Sequence, residues 1–167
     1  MKEAASGLSL TINFSEQMKF SLTSLKISIA GAKLSHLVQK DKIWDPGSMA
    51  EQARIIFYLV QKAKANGNTD SLKKQCSVAL FEKLQREFDG LEERENKWQK
   101  DNLIITELAV ISAQPGKHNK PDMFTALIRG YNRKAENEKH DDHSNKFSTE
   151  WSFVRQGDWW MLDEIRY

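Results

Sequence analysis

Apolar and polar positions alternate at the end of the chain and predict a β-hairpin. Phe147, Trp151 and Phe153 fall two or four positions apart, which is the period of a strand with one buried face. A polar break containing a glycine, at 156–158, separates them from a second apolar-rich run, and such a break is typical of a hairpin. Three of the five tryptophans lie between positions 147 and 167, so the hairpin is expected to wall a core or a pocket.

Two further strands are predicted before this hairpin. Ile104, Thr106, Leu108 and Val110 alternate with other residues, and β-branched side chains are frequent around them. The segment from Met123 to Arg133 repeats the alternation. With the hairpin, the sequence predicts four strands that follow one another along the chain.

The most regular helical pattern begins after a break at 44–47. Ser48 and Glu51 have the spacing of a capping box, in which the Ser hydroxyl accepts the Glu backbone N–H and the Glu carboxylate accepts the Ser N–H. Apolar residues then recur at helical spacing, which predicts a helix from Met49 to about Ala65. The pair at 66–67, Asn-Gly, is expected to stop it.

A further helical stretch is predicted up to Gly90, with Thr69 or Asp70 as its cap. Cys76 lies on its apolar side and has no His or Asn motif beside it, so we interpret it as a small core residue and not as a nucleophile. The apolar residues at helical spacing are Leu72, Cys76, Leu80, Phe81, Leu84 and Phe88.

The first 47 residues are predicted to form an extension of mixed structure. Alternation over positions 8–14 favours a short strand. Four- and three-residue steps then predict a helix from about Glu16 to Asp41, although alternation between Phe20 and Ile29 keeps a strand as an alternative. The apolar stripe of this helix consists of Met18, Leu22, Leu25, Ile29 and Ala32.

Lysines recur every seven residues along the same segment, at Lys19, Lys26, Lys33 and Lys40. On a helix they form one slowly drifting stripe. A lysine-striped apolar helix could lie on a membrane surface or pair with a partner helix. The alternative is a helix that packs on its own domain and leaves the lysines in solvent.

The composition narrows the class of protein. A chain of 167 residues that is 40% hydrophobic and 29% charged can bury the core of one domain. The net charge is +2, with Lys and Arg interspersed among Asp and Glu, so nucleic acid is not an expected partner. The longest apolar run, Ile55 to Val60, is far short of the ~18 residues that span a bilayer. The one cysteine excludes an intramolecular disulfide.

Motifs for cofactor or metal chemistry are lacking in the sequence. It contains no phosphate-binding glycine loop, dinucleotide fingerprint, nucleophile elbow or zinc pattern, so we predict no cofactor. The segment from His140 to His143 contains metal-ligand types, but no Cys pair completes a zinc site. We interpret it as a solvated hairpin tip and predict no metal.

A candidate apolar pocket lies between the predicted sheet and its helices. Core packing alone accounts for apolar residues that face one another there. The functional alternative is a concave cavity open to a lipid tail or to a side chain of a partner. The candidate lining residues are Phe57, Val60, Phe81, Leu84, Phe88, Phe147, Trp151, Phe153, Trp160 and Leu162.

Asp163 and Glu164 carry the enzymatic alternative. A buried carboxylate at either position could serve as the general base of a small lyase or isomerase. Such an enzyme needs a second convergent polar group, and Tyr131 and His118 are the obvious candidates. Neither has support from a motif.

Cross-strand pairing is the preferred role for these two carboxylates. Adjacent residues of a strand point to opposite faces, so both can face one pocket only if a bulge intervenes. One of them is expected to pair with Arg129 or Arg155 on a neighbouring strand. We therefore expect a non-enzymatic binding module and assign no catalytic residue.

Two regions of the sequence resemble a known family. The segments from Met49 to Phe57 and from Val60 to Ala63 resemble the first helix of a domain found at the C-terminus of the mitochondrial import-motor scaffold, subunit 44 of the translocase of the inner membrane. Bacterial relatives share this domain. The residues that resemble its final hairpin are Phe147, Glu150 to Arg155, Trp160 and Leu162 to Ile165.

The resemblance covers roughly residues 48–167 and leaves residues 1–47 as an N-terminal extension. It implies an α+β, nuclear transport factor 2-like cone, in which helices pack on a curved four-stranded antiparallel sheet around a deep apolar pocket. Helices followed by four strands are also the order that the periodicity predicts. A related alternative with the same cone is the periplasmic assembly-factor domain of type IV secretion.

The resemblance also implies a function. It implies a non-enzymatic, membrane-peripheral scaffold in protein transport or membrane assembly, at the cytoplasmic or periplasmic face of a bacterial inner membrane. The expected partners are a protein or membrane lipid, and fold analogy adds a homodimer through the exposed sheet face. The first 47 residues do not resemble the chaperone-recruiting region of the mitochondrial members, so chaperone recruitment is not implied.

Overall fold

A computed structural model describes residues 6–89, 102–133 and 146–167, and it shows an α+β fold with helices packed on one four-stranded sheet. The predicted fold class and its cone-like arrangement of helices on a sheet are confirmed. Two 3₁₀ turns, Lys42–Trp44 and Asp70–Leu72, connect the helices. The elements are α1 Ser6–Lys40, α2 Pro46–Asn66, α3 Val78–Phe88, β1 Asn102–Gln114, β2 Met123–Arg133, β3 Lys146–Gln156 and β4 Trp159–Arg166.

The sheet is an antiparallel meander in the order β1-β2-β3-β4. The sequence predicted regular alternation along the first strand, and β1 departs from it. The pairing of β1 with β2 shifts between Ile105 and Glu107 and again between Val110 and Ser112. Each shift is a bulge, which bends the strand and increases its twist.

The hairpin of β3 and β4 closes as predicted. Gln156 pairs with Trp159 across a two-residue loop, and Gly157 in that loop has φ of 62°. A glycine tolerates this left-handed conformation at no steric cost, and the first loop position of a type II′ turn requires it. The register shifts once more after Ser152, so Asp163 stands opposite no residue of β3.

Helix α2 begins two residues before its predicted capping box. Asp45 is the N-cap, and its Oδ1 accepts hydrogen bonds from the Ser48 backbone N–H and from the Ser48 hydroxyl, each at 2.8 Å. Pro46 occupies the first turn, where backbone N–H groups have no acceptor within the helix, so its missing N–H costs no helical hydrogen bond. Ser48 is therefore a donor to the cap and not the cap, and Glu51 approaches Arg54 at 3.5 Å instead. The predicted stop at Gly67 is confirmed, with φ of 65°.

The helix predicted from Thr69 or Asp70 is wrong over its first part. The chain forms only a 3₁₀ turn at 70–72 and then runs beside β4. The Ser77 backbone N–H donates to the Leu162 carbonyl and the Leu162 N–H donates to the Gln75 carbonyl, each at 2.8 Å. Pairing along this edge of β4 replaces helical hydrogen bonds, and α3 starts afterwards with Ser77 as its N-cap.

Helix α1 is a single element of 35 residues, about 52 Å long at ~1.5 Å per residue. The short strand predicted over positions 8–14 is wrong, because this segment is already helical from Ser6. The helix predicted from Glu16 is confirmed. Its body packs against the edge strand β1. The domain boundary between residues 47 and 48 stays a prediction.

Candidate functional site

The ten residues predicted to line an apolar pocket lie together in the packed core. Eight of them are buried, and Phe81 and Phe147 are partly buried and packed against the others. None of the ten lines any of the three surface cavities described for this chain. Their role as ligand contacts stays a prediction, but over the described residues the concave side of the sheet is occupied by the protein's own side chains.

Aromatic rings make up much of the core between the sheet and the helices. The Phe57 ring lies 5.2 Å from the Trp151 ring and 5.6 Å from the Phe147 ring, measured between centroids. The rings of Phe124 and Phe153 stack at 4.6 Å. The Trp151 indole N–H donates to the Thr149 hydroxyl at 2.9 Å, so this buried polar atom is also paired within the protein.

Helix α1 packs through a different side from the stripe that its sequence emphasises. Ala30 and Leu34 are buried at 2% and 1% exposure. The stripe residues Leu22, Leu25 and Ile29 are 56%, 56% and 61% exposed, and Met18 is 52% exposed. The helix thus packs on its own domain, as one alternative predicted, and still presents four large apolar side chains to solvent.

Three of these exposed side chains, Leu22, Leu25 and Ile29, form one wall of a cavity of about 700 Å³, which we call the α1 groove. Its other wall and its floor come from the sheet. Leu127 and Arg129 alternate with core residues of β2, and Ser148 and Glu150 alternate with core residues of β3, so all four lie on the face opposite α2 and α3. The lining residues are Lys19, Leu22, Thr23, Leu25, Lys26, Ile29, Ile111, Leu127, Arg129, Ser148, Glu150, Arg166 and Tyr167.

Polar contacts fix α1 across the groove. Arg129 Nη2 donates to the Thr23 hydroxyl at 3.3 Å, while its Nη1 lies 2.8 Å from Glu107 Oε2. Lys26 Nζ lies 3.8 Å from one oxygen of Glu150, and Arg166 Nη1 lies 4.0 Å from the other. These pairs are partly exposed, so they position the helix more than they stabilise the fold.

The lining of the α1 groove is predominantly basic. Four cationic side chains, Lys19, Lys26, Arg129 and Arg166, line it together with one carboxylate, Glu150. The lysines of the predicted stripe at 19, 26, 33 and 40 are all exposed. Sequence reasoning identified the lysines and the apolar stripe. It did not predict the floor residues Ile111 and Leu127. The signal that could have found them is an apolar residue on the outer face of each strand.

The carboxylates at the end of the chain do not lie in an enclosed site. Asp163 and Glu164 are both exposed, and Glu164 lies 3.3 Å from Arg166 of its own strand. The predicted pairing with Arg155 is wrong, because Arg155 contacts Asp41 and Asp122 instead. The bulge after Ser152 leaves Asp163 without a partner on β3, whereas Glu164 pairs with Ser152.

The second polar groups considered for an enzyme are exposed as well. Tyr131 is 38% exposed on β2, and His118 lies in the loop between β1 and β2 with φ of 51°. The segment from His140 to His143 lies outside the described residues. Within the described ranges, no cluster of three or more His, Cys, Asp or Glu side chains is arranged to hold a metal ion.

Cys76 is buried at 1% exposure beside β4, as expected of a small core residue. Burial raises the pKa of its thiol to about 12. A thiolate is the reactive form of cysteine. At neutral pH this side chain is therefore protonated and shielded from solvent.

No protein-family model matches the chain, and no curated protein matches it in sequence. A solved structure of the intermembrane space region of the chloroplast protein ARC6 is similar to it, with 12% identity and a TM-score of 0.41. The match covers 70% of this chain and 93% of that chain. Across the described part of the chain, no helix combines the length and the apolar character that crossing a bilayer requires.

Proposed function

We propose that this protein is a non-enzymatic binding and scaffolding module that holds a segment of a partner protein in the α1 groove. The observation that carries the proposal is the exposure of Leu22, Leu25 and Ile29 on the wall of a cavity whose floor is also apolar. Contiguous exposed apolar surface of this kind marks interaction sites in soluble proteins.

The concave shape of the site supports a protein segment as its occupant. Ile111 and Leu127 lie on the outer face of the sheet, at the bottom of the α1 groove, and both are buried. A flat surface that rests on α1 would touch the helix and leave this floor uncovered. A helix or an extended segment that enters the groove would contact α1 and this floor together.

The non-enzymatic interpretation is supported by the chemistry near the groove. Among the charged groups that line it, Arg129 pairs with Glu107 and Lys26 pairs with Glu150. Asp163 and Glu164, which the lyase or isomerase alternative requires as a buried base, are exposed. The scaffolding class follows the sequence resemblance to the C-terminal domain of the import scaffold.

Site-specific photo-crosslinking in the source cells tests the proposal. A photoreactive residue is placed at Leu25 in the full chain, with Val78 of α3, which is 74% exposed, as a matched control. One identified protein is expected as an adduct at Leu25 and not at Val78, and the change Leu22→Asp is expected to reduce its yield. Adducts that are the same at both positions would contradict the proposal.

Attachment to an anionic membrane is a second candidate function. It is favoured by the four exposed lysines at seven-residue spacing beside the exposed apolar stripe. Each lysine near an anionic surface contributes about 1 kcal/mol. Flotation with anionic vesicles should then be lost when Lys19, Lys26, Lys33 and Lys40 are changed to Glu. Lack of flotation by the unmodified protein would remove this candidate.

A further inference from the structure

The exposed stripe of α1 has the spacing of a coiled-coil seam. Met18, Leu22, Leu25, Ile29 and Ala32 are separated by four, three, four and three residues. This is the spacing of the a and d positions of a heptad repeat. All five are exposed, so the seam is not used within the chain over the described residues.

The two flanks of this seam differ in charge. In the heptad register of the stripe, Lys19, Lys26 and Lys33 occupy successive e positions, and serines at 21, 28 and 35 occupy the g positions. The lysine flank lies between the seam and the buried side of the helix, and its first two members line the α1 groove. Charges at e and g positions determine which helix can pair with a seam.

We infer that the occupant of the α1 groove is an amphipathic helix of another protein, with apolar a and d residues and acidic residues on the flank that faces the lysines. The inference rests on the proposed function and specifies its partner. The seam supplies the apolar contact. The exposed lysines Lys19, Lys26 and Lys33 supply the charge that acidic side chains complement.

A second copy of α1 fits the seam poorly. In a parallel pair each lysine flank would face a serine flank of the other copy, which provides no opposite charge. In an antiparallel pair the lysine flanks would face each other and repel. The charge pattern therefore favours a heterotypic partner over self-association.

Designed peptides serve as probes in the test. The acidic probe is a labelled four-heptad helix with Ile and Leu at a and d and Glu at e and g. The basic probe carries Lys in place of each Glu and is otherwise identical. Binding to the full chain is measured by fluorescence anisotropy at low and high salt, since screening weakens exposed charge pairs.

The unmodified protein is expected to bind the acidic probe at least about tenfold more tightly than the basic probe. A Lys19→Glu, Lys26→Glu, Lys33→Glu variant should reverse this preference, and Leu25→Ser should weaken binding of both probes. The control reverses three exposed lysines outside α1, Lys62, Lys73 and Lys74, and should bind as the unmodified protein does. All of these positions are exposed, and circular dichroism verifies that each variant is folded.

Equal binding of the two probes, or no binding of either, would overturn the inference, and so would a preference that survives the charge reversal. Sedimentation of the peptide-free protein adds one more outcome: a dimer that Leu25→Ser dissociates would make a second copy the occupant. Failure in these assays would leave the photo-crosslinking result unaffected. The partner's chemistry and the binding function are thus tested separately.

Discussion

Arg155 and Asp41 connect the end of α1 to the third strand of the sheet across 114 positions of the chain. Arg155 Nη1 donates to Asp41 Oδ2 at 2.6 Å and to Asp122 Oδ2 at 3.1 Å, and its Nε donates to the Gly157 carbonyl at 2.7 Å. One guanidinium therefore joins α1, the start of β2 and the turn of the last hairpin. These contacts hold one end of α1 in place while its other half borders the groove.

Acid is expected to weaken this connection. The Ile43 backbone N–H, and after it the Arg155 guanidinium, hold the pKa of the Asp41 carboxyl below its ordinary value of 3.8. A depressed folded-state pKa stabilises the fold above the ordinary pKa, and this contribution is lost as the pH falls through the folded value. Between about pH 5 and pH 2 the Tm of the unmodified protein should fall more than that of Asp41→Asn. Parallel decreases in the two proteins would contradict this role of Asp41.

Removing an aromatic ring from the core is expected to lower the stability of the fold substantially. Trp151 is 1% exposed, whereas Trp159 on the next strand is 47% exposed. Trp151→Ala should lower the free energy of unfolding by about 3–5 kcal/mol, and Trp159→Ala should change it by about 0.5 kcal/mol or less. Urea unfolding of both variants measures the difference. A small effect at Trp151 would instead indicate that its ring lines an open, ligand-binding cavity.

Adding one methyl group at Gly130 is expected to distort the sheet. A Cβ atom there would overlap the Ile104 carbonyl oxygen of β1 and approach the Phe147 ring at 2.7 Å. Gly130→Ala should therefore destabilise the protein by about 1–3 kcal/mol. Gly31 in α1 is the matched control because nothing lies within 4 Å of the added group. Gly31→Ala should stabilise the protein by about 0.5–1 kcal/mol. Thermal unfolding distinguishes the two signs.

The Cys76 thiol is expected to resist modification in the folded protein. Its pKa of about 12 leaves almost no thiolate at pH 8, and the side chain is buried. A disulfide reagent such as dithionitrobenzoate should react only as the protein unfolds, so the reaction rate should rise with denaturant in parallel with unfolding. Rapid, complete labelling in native buffer would contradict the position of Cys76 in the core.

Local pattern was sufficient to locate the strands and the body of α2. The alternation over Met123 to Arg133 predicts the bounds of β2, because a strand with one buried face must repeat every two residues. The glycines at 67 and 157 mark the end of a helix and a hairpin turn, since each adopts a positive φ. These features depend on neighbouring residues alone.

Tertiary contacts determined which side of α1 is buried and where α3 begins. Helix α1 carries two apolar sides, and only the distant strands determine that Ala30 and Leu34 are buried while Leu22 and Leu25 are exposed. The backbone at 75–77 leaves the helical pattern because Leu162 of β4 offers it hydrogen bonds. The periodicity of the sequence therefore determined which segments form helices and strands. The positions of partners far along the chain determined which apolar surface became core and which became the α1 groove, because burial is a property of the assembled elements.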